Sequence, residues 1–355
     1  MKTRSLVRKM IVVLAICCLS GCTKKTGTEA PTVMVAATES SNAAPVIRTN
    51  STSLEKDSNH VTLTNADVAA AQTSSPPVSL ALKTNTPPPK PVYPANELYE
   101  QAVALIKTNE SNAAAEKALK LFQEAAEKGN PPAQCALGIS YLGGIGVKKS
   151  EEDALKWLRK SAEAGYADAQ FKLASLYVRG EVVPKDETQA AELARKAADQ
   201  GHAEAQYNLG TLYTGGKGVP KDEKQAAFWF KKAAEAGQPS AQANLGVLYA
   251  NGEVFDKNMD EAVKWWKKAA EQGQPTAQFN LGQALTEGKA LPKDLVEAYK
   301  WYYLAAQQGD RQAAQFRDAV AAELDPSQLA DALKRARQFK SDLLARWQNR
   351  QENLF

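Results

Sequence analysis

The chain has 355 residues, 44% of them apolar and 24% charged, with 44 basic and 40 acidic side chains, two histidines and four cysteines. Lys2, Arg4, Arg8 and Lys9 all precede the first apolar run, and removing these four leaves 40 basic residues against 40 acidic ones, a balance that gives no argument for a nucleic-acid partner, which would want a basic face. Cys17 and Cys18 lie in that run, so only Cys22 and Cys135 follow it and no disulfide framework is expected within the fold.

Residues 1–21 have the layout of an export signal: a basic start, an apolar run from Met10 to Leu19, then Ser20-Gly21-Cys22. The run is too short to span a bilayer. Leu19-Ser20-Gly21-Cys22 resembles a bacterial lipobox, which implies cleavage between Gly21 and Cys22 and acylation of Cys22. Two or more acyl chains make a stable anchor. By the same resemblance, Thr23 rather than Asp after the cysteine implies sorting to the outer membrane, facing the periplasm, where two membranes are present.

Residues 22–93 are rich in Ser, Thr, Asn, Ala and Pro, with Pro76-Pro77 and Pro87-Pro88-Pro89-Lys90-Pro91, and hold too few large apolar groups to fold. They read as a disordered tether. As a flexible coil the 71 residues from Thr23 span roughly 45 Å, and at full stretch ~235 Å.

From there a glycine recurs every 36 residues, at Gly129, Gly165, Gly201, Gly237, Gly273 and Gly309, and other columns hold the same register: Ala133 to Ala277, Leu137 to Leu281, Gly144 to Gly288. Within each period the apolar residues fall twice at helical spacing, as in Leu209, Leu212 and Tyr213, then Ala226, Trp229, Phe230 and Ala233. Each period is therefore a helical hairpin. Ser150, Asp186, Asp222, Asn258 and Asp294 are the expected N-caps of the second helices, with Asp153, Gln189, Gln225, Glu261 and Glu297 three residues on as capping-box partners. The period glycine suits a left-handed helix end. One hairpin cannot bury its own apolar face, so neighbours must stack and the ends must be capped.

The segment from Ala205 to Gly237, A-Q-Y-N-L-G-T-L-Y-T-G-G-K-G-V-P-K-D-E-K-Q-A-A-F-W-F-K-K-A-A-E-A-G, resembles the Sel1-like repeat family, relatives of the tetratricopeptide repeats. The resemblance implies an all-α, right-handed α-solenoid with terminal capping helices behind the disordered linker. The parsing is a degenerate N-terminal repeat or cap over 94–129, five repeats over 130–309 and capping helices over 310–355. It also implies a non-enzymatic scaffold or adaptor that binds an envelope protein or peptide, as in exopolysaccharide export assemblies. A cysteine-rich branch of the family, some of whose members bind β-lactams, implies a cell-wall glycan or β-lactam binding protein or hydrolase as the alternative. This chain lacks that branch's paired cysteines.

No residue pattern supports catalysis, a cofactor or a metal. There is no phosphate-binding lysine loop, nucleophile elbow or ligand spacing. His60 lies in the tether, and His202 stands just after a period glycine, where Asn130, Tyr166, Gln238 and Gln274 stand in other repeats; it reads as a helix-opening residue. The candidate partner-binding residues are Lys172, Asn208, Asn244 and Asn280, one column of the first helices following Ala136. In related scaffolds the first helices face a groove, so these side chains are expected either to hydrogen-bond an extended peptide or to bond within the scaffold. Ser175, Arg179, Thr211, Val247, Asn251, Gln283 and Glu287 vary one turn on, as a specificity surface does. Trp157, Trp229, Trp265 and Trp301 read as core, and Trp266 as partly exposed. Leu329, Ala332, Leu333, Ala336, Phe339, Leu343, Leu344 and Trp347 make an amphipathic closing helix, read as a cap in preference to a partner-binding helix.

Overall fold

The computed structural model describes residues 95–108 and 112–353, and every regular element among them is an α-helix. The signal, Cys22 and the tether lie outside the described residues. The helices are α1 (Asn96–Thr108), α2 (Asn112–Glu127), α3 (Pro131–Gly143), α4 (Glu151–Glu163), α5 (Ala167–Arg179), α6 (Glu187–Asp199) and α7 (Ala203–Gly215). They continue with α8 (Glu223–Glu235), α9 (Pro239–Asn251), α10 (Met259–Glu271), α11 (Pro275–Glu287), α12 (Leu295–Ala306), α13 (Arg311–Ala321) and α14 (Pro326–Asn353). They fall into two compact bodies, residues 95–221 and 222–353.

The caps follow the residues expected for them. Ser150, Asp186, Asp222, Asn258 and Asp294 each accept a hydrogen bond from the backbone N–H three residues on. The reciprocal arm expected of a capping box has no donor to take. The backbone N–H groups of Ser150, Asp186, Asn258 and Asp294 already donate to the carbonyls of Tyr141, Tyr177, Tyr249 and Leu285 in the preceding helix. Second helices end at the period glycine with φ between 85° and 93°, and the residue after it donates back to the helix, as Tyr166 N–H does to Ser161 O at 3.1 Å.

Packing within a hairpin depends on a small residue under a large one. At Gly246 an added Cβ would lie 2.4 Å from Trp266 Nε1, and at Gly282 one would lie 2.9 Å from Tyr302 Cε1. Trp266 is 2% exposed, with its indole N–H donating to Ala243 O at 3.3 Å, whereas Trp265 is half-buried. This corrects the expectation for the two tryptophans. Trp266 belongs to the column of Leu158, Phe230 and Tyr302, all of which are buried; Trp265 faces outward, with Lys268 Nζ 4.1 Å from its ring centroid.

In the second body the last two helices, α13 and α14, both pack on α12. Phe316 of α13 packs on Phe279 and Tyr302 (centroids 5.4 and 5.6 Å), and Phe339 of α14 packs edge-on to Trp301 at 5.1 Å. Arg335 reaches Glu297 at 3.5 Å, and a Cβ added at Gly273 would lie 3.1 Å from Leu343, so α14 runs parallel to α12. Asp325 caps it, accepting from the N–H groups of Ser327 and Gln328 while Gln328 Oε1 accepts from Asp325 N–H. Here the capping box is reciprocal.

Candidate functional site

The candidate column occupies one position of successive first helices, but its surroundings differ. In the first body Lys172 of α5 and Asn208 of α7 are half-buried. In the second, Asn244 of α9 and Asn280 of α11 are each 1% exposed, and neither Nδ2 nor Oδ1 of either amide has a hydrogen-bond partner. The column begins at Ala136, 2% exposed, and the position after Asn280 is Phe316, so an apolar residue closes it.

Four unpartnered buried amide atoms stand out because the other carboxamides on these helices are engaged. Gln242 of α9 donates to Ala234 O at 3.1 Å, and Gln278 of α11 donates to Ala270 O at 3.2 Å, joining each first helix to the orphan carbonyls of the helix before it. Their oxygens accept in turn: Gln272 donates to Gln242 Oε1 at 2.8 Å, and Gln308 to Gln278 Oε1 at 3.0 Å. In the first body Gln170 and Gln200 make the same link at 2.8 Å. Sequence reading passed over this glutamine column, although Gln134, Gln170, Gln206, Gln242 and Gln278 recur at the repeat period.

The variable positions one turn on do not form a continuous polar surface. Ser175 and Thr211 donate to the carbonyls of Phe171 and Tyr207 on their own helices, and Val247 is fully buried. Arg179 and Glu287 are exposed, and Asn251 and Gln283 partly so.

His202 opens α7 as an N-cap. Its Nδ1 accepts from Ala205 N–H at 3.2 Å, which leaves the ring proton on Nε2, 3.3 Å from Asp168 Oδ1. Both side chains are buried, and the Phe171 ring lies against the imidazole, centroids 4.6 Å apart and planes tilted by 31°. The same capping role falls to Asn130, Gln238, Gln274 and Asp310; at Tyr166 no side-chain cap bond forms. The imidazole is thus used as a cap, held by a carboxylate. Among the described residues no three or more His, Cys, Asp or Glu side chains gather as a metal site, and no helix is long and apolar enough to cross a membrane.

The Sel1 repeat family model matches residues 113–130, 131–166, 167–202, 203–238, 239–274 and 275–310. Among solved structures, the chain is similar to a protective antigen of uropathogenic Escherichia coli strains that displays an SLR fold. The two share 32% identity with a TM-score of 0.63, over 74% of this chain and 56% of that one, so this chain spans little more than half of that protein. It is also similar to a Sel1 repeat protein from Oxalobacter formigenes, with 31% identity and a TM-score of 0.57 over 66% of this chain and 96% of that one. None of the curated proteins matches.

Proposed function

We propose, from the premise that this chain belongs to the Sel1 repeat family, that it is a non-enzymatic adaptor binding a protein or peptide through its first helices. Sel1 repeats form scaffolds that generally mediate protein–protein binding. The observation that carries the reading to particular residues is the pair of buried, unpartnered amides at Asn244 and Asn280. An extended main chain offers a donor and an acceptor at every residue, the complement of a carboxamide. At 1% exposure the two amides are reached only as the neighbouring side chains yield, which favours a slender, extended ligand. Lys172 and Asn208 carry the same column in the first body.

The adaptor is held at the bacterial cell envelope by acyl chains on Cys22, behind a cleaved signal and a long tether, with the outer membrane as its site where there are two. The basic start, apolar run and Leu19-Ser20-Gly21-Cys22 support this. An envelope assembly such as an exopolysaccharide export complex suits a scaffold that can stand well off its membrane.

The test joins stability and capture. Asn244→Leu and Asn280→Leu keep the side-chain volume and remove the unpartnered amide, so each is expected to stabilise the fold by about 1–3 kcal/mol. In cells, crosslinking to an envelope protein is expected to disappear with the double variant. Lower stability together with retained capture would assign both residues to the scaffold.

A further inference from the structure

Beyond peptide binding, the geometry points to α14 as a second membrane contact, a stripe that docks on an anionic bilayer surface. It rests on the envelope reading above only for the presence of that bilayer.

The helix is 28 residues long where the second helices of the hairpins in its body have 12 or 13. It packs on α12 as far as Phe339 and over the turn at Gly273 with Leu343, and from Leu344 to Asn349 every side chain is exposed. Two of the three exposed large apolar residues among the described ones, Leu344 at 49% and Trp347 at 38%, lie on this overhang. Arg337, Lys340, Leu344 and Trp347 are spaced 3, 4 and 3 apart, which puts them on one face of the helix, and all four are exposed.

Charge selects the occupant. From Lys334 to Arg350 there are six basic residues and one acidic, Asp342, in a chain that as a whole balances once its first four basic residues are set aside. A partner helix lying in a groove reads apolar anchors at three or four successive positions of such a stripe. This stripe has two, and its other two positions are cations. A planar anionic surface needs only what is present: cations for its headgroups, and a tryptophan and a leucine at the boundary beneath them. One acyl-anchored end combined with a basic, apolar patch is also the two-signal arrangement that makes membrane attachment firm.

The test uses residues 22–355 carrying Cys22→Ser, so that neither an acyl group nor the basic, apolar signal contributes, with vesicles of phosphatidylcholine alone or with one quarter phosphatidylglycerol. Partitioning is expected to be at least about tenfold stronger onto the phosphatidylglycerol vesicles. Each cation near such a surface contributes about fivefold, so Arg337→Gln with Lys340→Gln is expected to lower binding by roughly thirtyfold. Leu344→Gln with Trp347→Gln is expected to weaken partitioning onto both kinds of vesicle while leaving the thermal midpoint unchanged. Equal partitioning by the parent chain and both variants would overturn the inference. So would a photocrosslinker at position 347 that captures, in cells, an acidic protein and no lipid. Failure of the anchor reading shows separately, as normal processing and membrane retention, in cells, of the full Cys22→Ser chain when the tail is also substituted.

Discussion

Gln272 ties neighbouring repeats together through one carboxamide. Its Nε2 lies 2.8 Å from Gln242 Oε1 and 3.3 Å from Gly237 O, so a side chain at the end of α10 reaches both the first helix of its own hairpin and the turn that precedes it. Gln272→Ala is expected to lower stability by about 1–2 kcal/mol, because it strands a buried oxygen rather than merely losing one bond; a urea midpoint checks this. Tyr302 gives a pH dependence. Burial pushes its hydroxyl up to about 12 from an ordinary value of 10.0, against a smaller opposing effect from Thr286 Oγ1, 3.4 Å away. The folded state thus holds a proton that the unfolded chain releases first. The contribution is complete below pH 10 and is lost as pH rises toward about 12, at about 1.4 kcal/mol per pH unit. Tyr302→Phe is expected to flatten that alkaline loss, measured as unfolding free energy against pH. At this scale the sequence was only partly legible. The column 158, 194, 230, 266, 302 mixes Leu, Ala, Phe, Trp and Tyr, so periodicity alone did not single it out as the deepest; the glycine facing Trp266 and Tyr302 does.

Helix limits were legible because each rests on a local cause. Ser, Asp or Asn before the second helix accepts a backbone N–H, and the period glycine takes positive φ; both depend on residue type alone. Asp294→Ala removes the acceptor that Glu297 N–H uses at 2.9 Å and is expected to cost about 1 kcal/mol in chemical denaturation. Asn258→Ala should behave alike. What residue type could not reveal was the second arm of the capping box, since the competing carbonyls, such as Tyr249 O at 2.8 Å from Asn258 N, lie nine residues back across the loop. Gly246→Ala tests the close approach beneath Trp266: a methyl 2.4 Å from the indole nitrogen forces the ring to shift and is expected to destabilise by about 1–3 kcal/mol. Near-UV circular dichroism should change with it, as the indole's surroundings are altered.

For the molecule as a whole, a 36-residue period read from glycines and alanines was enough to specify an all-α repeat fold, since a regular hairpin that cannot bury its own face has stacking as its main recourse. The candidate site was legible as a column but not as an environment. Lys172 and Asn208 stay partly open while Asn244 and Asn280 are enclosed, a difference set by packing around positions that the repeat makes equivalent. The body of residues 95–221 also carries its own reporter. His202 is the single imidazole among the described residues, and its Nε2 proton, turned toward Asp168 and enclosed, should give a separate downfield proton resonance that exchanges with water only when that body opens. Saturation transfer to that one signal would time the opening of a stack whose repeats are otherwise nearly indistinguishable in a spectrum.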